Sequence, residues 1–383
     1  MLDSYKCILD LMSFTLNNKP FPDSYKLEVT LEEVFKIAAE QDICPLLYKL
    51  VERLQVTTSA DSSYKKSWKN VVLFSCLSQF GISNDLKRLH ETFDKEKIPA
   101  VFLKGIVLKK LYPQPELRCM RDIDIFVEPG KVDDATAVLA QLGYKVKDGE
   151  KEDHDGLHIV FIKDNSLSVE LHYSLLHKAF MGRVNIDFWY EHIWSNIRTM
   201  EFEGTNFNVL SYDDEFINLI IHFATHMVYS GASLKQLYDI LIFVNTYSSS
   251  MDWNYICYAL NNIGLLTFAK ILLTACRDII GFNSPVFFEK QPTELSETLF
   301  DDIFSIRLLS EKNREHECWR DFMLRYKFTR NHPRLIPVSL VLETGLQIVR
   351  FRNSPIKSVL WSKNTFLFVK KRFKLLKSIG ISN

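Results

Sequence analysis

The chain has 383 residues, longer than one average domain, so two or three packed units are expected. Apolar residues make up 47%, and 28 Phe and 15 Tyr against 13 Gly and 12 Pro exclude a disordered chain. Lys and Arg balance Asp and Glu at 47 each, which excludes a uniformly basic coat for nucleic acid. The seven cysteines are scattered and make no C-x-x-C pair. They read as reduced, mostly buried thiols of a cytoplasmic protein, not as a disulfide frame or zinc site. The N-terminus lacks a signal-peptide layout, and no apolar run approaches the ~20 residues that span a bilayer.

In chain order, residues 1–97 read as helical. Leu31 to Ala39 has helical apolar spacing, with Thr30 and Glu33 placed for a capping box. One long helix is predicted from Tyr64 to about Lys95, with a stripe of Leu73, Cys76, Leu77, Phe80 and Ile82 continued by Leu86, Leu89 and Phe93. Residues 98–210 change character. Strand-like runs occur at Ala100–Leu103, Ile123–Val127, Leu157–Ile162 and Leu167–His172, and a helix from Val132 to Leu142 ends at Gly143, a left-handed position. From residue 211 to 383 the pattern is helical again. Ser211 precedes Asp213-Asp214-Glu215, negative charge at a helix start, and Trp253–Leu260, Leu265–Ile280 and Leu299–Leu309 follow as helices.

The most informative stretch is Arg118-Cys119-Met120-Arg121-Asp122-Ile123-Asp124-Ile125-Phe126-Val127. On a strand, Asp122 and Asp124 share one face while Ile123, Ile125 and Val127 turn to a core. Neighbouring carboxylates repel, and a fold tolerates them when a hard cation such as Mg²⁺ lies between them. Upstream, Lys104-Gly105 closes the run Ile98–Leu103 and opens a helix from Ile106 to Tyr112. A strand, a glycine turn, a helix N-terminus and a D-x-D strand together make a phosphate-and-metal site.

Lys104-Gly105, Tyr112-Pro113, Arg118-x-x-x-Asp122-Ile123-Asp124, Gly143-Tyr144 and Val169-Glu170-Leu171-His172 resemble the uncharacterised nucleotidyltransferase family of the DNA polymerase β-type superfamily. The match is good over about residues 86–175, with a weaker echo in His222-x-x-x-His226 and Leu237-Tyr238-Asp239-Ile240. The resemblance implies an α+β fold: a small mixed-sheet nucleotidyltransferase core between N-terminal and C-terminal helical bundles. It implies transfer of a nucleoside monophosphate from an NTP, with two Mg²⁺ ions (Mn²⁺ as an alternative) held by three carboxylates. It puts the first two on Asp122 and Asp124 and the third on Glu170. Alternation in Leu167-Ser168-Val169-Glu170-Leu171-His172 agrees, because Glu170 leaves the core face. The superfamily's usual Gly-Ser turn is Lys104-Gly105 here, so a serine hydroxyl is missing and Lys104 stands in as a point charge for phosphate.

Arg118, with Arg121 less so, is a candidate for phosphate or strand positioning, against a structural ion pair. His172 is a candidate to support the metal or contact a base, and His158 a weaker one. His222 and His226 have a zinc-pair spacing, but no Glu lies between them, so a zincin is excluded and cleft lining or helix packing remains. The basic tail around Phe366–Lys377 reads as a packed terminal helix with a solvated basic face, against contact with a membrane surface or RNA. The acceptor stays open among a small metabolite, a peptide or protein, and RNA; DNA is not expected. The rival readings are a catalytically silent module that kept the fold and a toxin-like tRNA-modifying transferase. The location expected is cytoplasmic, with a peripheral membrane position as the alternative.

Overall fold

The computed structural model describes residues 2–55, 58–79, 81–147, 157–176, 187–229, 231–282, 293–310, 371–372 and 374–381. Its centre is a five-stranded mixed sheet of β1 (Ala100–Phe102), β2 (Asp122–Val127), β3 (Lys145–Val146), β4 (His158–Ile162) and β5 (Ser168–His172) in the order β1-β2-β5-β4-β3. β2 and β5 run parallel and the other neighbours antiparallel. The expected strands are all present within a residue or two of their predicted ends. The crossover that a parallel pair requires contains the helix Val132–Gln141, which buries Ala135, Val138 and Leu139 and is followed by Gly143 at φ +87°. Alternation works as predicted on both central strands. Ile123, Ile125 and Val127 of β2 and Val169 and Leu171 of β5 are buried, leaving the polar residues between them on the opposite face.

Before the sheet come helices Asp3–Leu16, Leu31–Glu40, Cys44–Arg53, Ser59–Ser78 and Ile82–Lys95. The Thr30–Glu33 capping box forms in both directions, with Glu33 N–H on Thr30 Oγ1 at 3.3 Å and Thr30 N–H on Glu33 Oε2 at 3.1 Å. The single long helix predicted from Tyr64 to Lys95 is two helices instead. Gly81 sits between them at φ +90°, a left-handed conformation that helical residues cannot share. The predicted stripe also divides. Ile82, Leu86, Leu89 and Phe93 are buried, but Leu73 and Leu77 are exposed; Phe80 lies outside the described residues.

After the sheet, β6 (Arg198–Phe202) and β7 (Thr205–Val209) form a separate hairpin, and Phe207 meets Phe102 of β1 edge-on at 5.0 Å. Helices Tyr212–Tyr229, Leu234–Tyr247, Trp253–Ile263, Leu266–Ile280 and Thr293–Ser310 follow. The acids read as helix-start charges do more than that. Asp214 is fully buried and accepts from Trp189 Nε1 at 3.0 Å, His192 Nδ1 at 3.0 Å, Tyr255 Oη at 3.1 Å and Ser211 Oγ at 2.6 Å. One hydrophobic core joins the N-terminal helices, the sheet and the C-terminal helices, with Leu11, Trp68, Ile125, Leu241 and Leu272 among its members.

Arg350, Arg352, Lys357, Lys363 and Lys370 of the basic tail lie outside the described residues, as does Cys318. In the described part, Leu375 and Leu376 are buried, Arg372 pairs with Asp302 and donates to the Met227 carbonyl, and Lys371, Lys374 and Lys377 are exposed. That is a packed terminal segment with a basic outer face. Among the described residues, no helix is long and apolar enough to cross a membrane.

Candidate active site

Register, not sequence proximity, assembles the site. In the parallel β2–β5 pair Asp122 lies opposite Ser168, Asp124 opposite Glu170, and Phe126 opposite His172. In the β4–β5 pair His158 lies opposite His172. With side chains alternating, Asp122, Asp124, Glu170, His172 and His158 project from one face, and the apolar residues between them occupy the other. His172 Nε2 donates to Asp124 Oδ1 at 2.8 Å and lies 3.5 Å from Glu170 Oε2.

Lys104 enters this face through an unusual turn. Its backbone holds φ +36° and ψ −69°, a strained conformation for a residue with a side chain. Glu215, fully buried on the helix Tyr212–Tyr229, fixes the turn by accepting from Lys104 N–H at 3.1 Å. The Lys104 ammonium then lies 3.4 Å from Asp124 Oδ1 and 3.2 Å from His222 Nδ1.

The charges press on one another. Burial, then repulsion by Asp124 and Glu170, pushes the Asp122 carboxyl up to about 6. Burial works the same way on Asp124, but Lys104 and the hydrogen bond from His172 outweigh it and hold the carboxyl well below its ordinary range. Burial also opposes charge on Glu170, and the hydrogen bond from His172, with His158 nearby, overcomes it and lowers the carboxyl. His172 is desolvated, yet its hydrogen bonds to Asp124 and Glu170 raise it. Burial, Lys104 and His226 push His222 well down, so it stays neutral and accepts from Lys104. Burial lifts Glu215 to about 7 against the pull of Arg198 and Lys104. Asp122, Asp124 and Glu170 are the oxygen donors that a hard divalent cation takes, and the raised Asp122 marks a face with more negative charge than it neutralises.

The face forms one wall of a cavity of about 490 Å³, within the range of small-molecule sites. Leu219, His222, Phe223 and His226 of the helix Tyr212–Tyr229 also line it, as do Lys235, Gln236 and Asp239 of the next helix. A second capping box, Ser233 N–H on Gln236 Oε1 at 2.9 Å and Gln236 N–H on Ser233 Oγ at 3.4 Å, starts that helix and sets Lys235 in its first turn. The cavity therefore lies between the sheet and the helices after residue 211, and Asp42 reaches it from the N-terminal region.

Arg118, a candidate for phosphate or strand positioning, lines the cavity and is also held in a buried ion pair. Its Nε and Nη2 each donate to Asp239 at 2.9 Å, and its Nη1 donates to the Gly105 carbonyl at 2.9 Å. Tyr112 Oη adds a fourth bond, to Asp239 Oδ1, at 2.8 Å. Arg118 thus clamps the approach to β2 against the C-terminal helices, and Arg121 pairs at the rim with Asp42. The helix predicted from Ile106 to Tyr112 is only Gly105–Lys109, and the Lys104 N–H at its start is already bonded to Glu215. Gly105 lines the cavity, and a Cβ there would lie 2.6 Å from Met120 Cε, so a larger residue would push the end of that flexible side chain aside. His222 and His226 both line the cavity, with ring centroids 4.5 Å apart. Glu215, Lys235 and Asp42 escape sequence reading. No motif marks them, and each reaches the site only through helix packing.

The family described as "Uncharacterised nucleotidyltransferase" matches residues 28–281. No curated protein matches the chain. A crystal structure of an antigenic nucleotidyltransferase-like protein from Paracoccidioides brasiliensis is similar at 12% identity and a TM-score of 0.31, over 54% of this chain and 94% of that one. That likeness is too distant for anything to rest on it.

Proposed function

The chain belongs to the uncharacterised nucleotidyltransferase family, and from that premise we propose that it moves a nucleoside monophosphate from an NTP to an acceptor, with Mg²⁺, in the cytoplasm. The observation that carries this reading is the convergence of Asp122, Asp124 and Glu170 on one sheet face inside the cavity that also holds Lys104. The three carboxylates would hold the metal. Bound metal would neutralise the triphosphate and lower the pKa of the attacking hydroxyl. That hydroxyl would displace pyrophosphate from the α-phosphorus: one P–O bond forms, one breaks, and the hydroxyl proton passes to water. Asp124 is charged in advance through Lys104 and aimed by His172. Lys104 would also offer a positive charge to phosphate oxygens from a strained turn at the cavity. His222 and His226, which also line the cavity, would face the nucleoside.

Retention of all three carboxylates favours a transferase over a silent module. The test is incubation with each labelled NTP, Mg²⁺ and cell extract. Label should enter one acceptor fraction, identifying it as a small molecule, a protein or RNA. Asp122→Asn and Asp124→Asn should each slow transfer ~100-fold or more, and Glu170→Gln should abolish it while NTP binding remains measurable. Wild-type transfer by these variants would sink the proposal.

A further inference from the structure

His158, Glu170 and His172 form a cluster that oxygen-ligated Mg²⁺ does not call for. His158 on β4 and His172 on β5 are direct cross-strand neighbours, with ring centroids 4.8 Å apart. Glu170 precedes His172 by two residues and shares its face. Both imidazoles turn Nε2 to the same carboxylate oxygen, Glu170 Oε2, at 3.7 Å from His158 and 3.5 Å from His172. The donor atoms of all three lie within 4.8 Å of one another. Asp124 Oδ1, 2.8 Å from His172 Nε2, adds a fourth candidate donor on the same side.

Hydrogen bonding accounts for only part of this convergence. His172 Nε2 lies between Asp124 and Glu170 and ligates an ion only by giving up the proton it shares with them, while the 3.7 Å from His158 to Glu170 is too long for a hydrogen bond. The spacing does match donors around an ion. Metal–ligand bonds of ~2.1 Å put tetrahedral donors ~3.4 Å apart, close to the 3.5 and 3.7 Å separations here. The donor chemistry then selects the ion. Two imidazole nitrogens and a carboxylate suit Zn²⁺, Co²⁺ or Mn²⁺, whereas Mg²⁺ prefers oxygen and keeps its waters.

We propose that His158, Glu170 and His172, with Asp124 beside them, bind a transition-type divalent cation that Mg²⁺ does not replace. This rests on and extends the transferase reading, since it lies on the same face and shares Glu170 and Asp124 with it.

The test needs no substrate. Full-length, untagged protein stripped with a chelator is titrated with Co²⁺ in excess Mg²⁺, followed by calorimetry and by visible absorption of bound Co²⁺. One equivalent should bind and give the ligand-field bands of a nitrogen-containing, low-coordinate site. His158→Ala and His158→Gln should each weaken binding by ~10–100-fold, with folding checked by circular dichroism so that either folded variant suffices. Asp122→Asn should stay within a few-fold of wild type. Displacement of Co²⁺ by Mg²⁺, or wild-type affinity in the folded His158 variants, would overturn the inference. Because the readout is metal binding, Co²⁺ bound at this site by a protein that transfers no nucleotide would refute the transferase reading alone.

Discussion

Two buried sets of charge border the same cavity and follow opposite plans. Around Arg118 the charges are matched: one guanidinium spans both oxygens of Asp239, and its remaining contact is the Gly105 carbonyl. Along β2 and β5 they are not. Three carboxylates face one ammonium and two histidines, and Asp122 is pushed up to about 6 by burial and by its neighbours. A matched pair inside a protein is geometry made rigid. An unmatched set destabilises the fold and persists where something else relieves it, which is the signature of a site. One decapeptide holds a member of each set, Arg118 and Asp122 only four residues apart, yet the fold separates their roles.

The largest effect is expected from breaking the matched set. Arg118→Ala leaves Asp239 buried without its partner, at a cost of about 3–5 kcal/mol. Arg118→Lys should recover little, because an ammonium cannot span both carboxylate oxygens and reach Gly105 as well. Urea unfolding measures this. An Arg118→Ala protein as stable as wild type, but with weakened NTP binding, would move Arg118 from the clamp to the phosphates.

A smaller effect tests the point where the two sets meet, Lys104. If its charge serves phosphate as well as Asp124, Lys104→Ala should weaken NTP binding roughly tenfold, ~1.4 kcal/mol, and leave the bare nucleoside nearly unchanged. Titration calorimetry with both ligands decides. Equal losses would restrict Lys104 to neutralising Asp124 from within.

Local rules made the sheet legible. Alternation placed Asp122, Asp124 and Glu170 on one face, Gly143 ended its helix, and Thr30 with Glu33 capped theirs. The errors arose where local pattern and tertiary context disagree. Gly81 reads as a tolerable helix residue until its φ of +90° breaks the helix, and Leu73 and Leu77 look like a core stripe although both are exposed. Arg118 left phosphate, strand positioning and an ion pair all open, because its partner, Asp239, lies 121 residues away. Glu215 looked like a dipole charge at a helix start, but packing turns it into the acceptor that fixes the Lys104 turn. Long-range pairs of this kind have no period and no spacing to read.

The finest test concerns the unmatched set and turns on the sign of one titration. Asp122 ionises near its ordinary value of 3.8 when unfolded and at about 6 when folded. Folding therefore favours its protonated form. That contribution is fully present below the unfolded value and is lost as pH rises through about 6. Asp122→Asn cannot ionise, so it keeps the favourable neutral state at every pH. Measured without metal, the two proteins should melt alike near pH 4, and the variant should pull ahead as pH approaches 7, then hold a constant lead. Solvent at this partly exposed residue trims the gain to about 1 kcal/mol, or roughly 2 °C in Tm. Added Mg²⁺ should close the gap from the other side, by stabilising the wild type alone. A variant that melts below wild type at pH 7 without metal would mean that the carboxylates are already balanced, and the contrast with the Arg118 clamp would disappear.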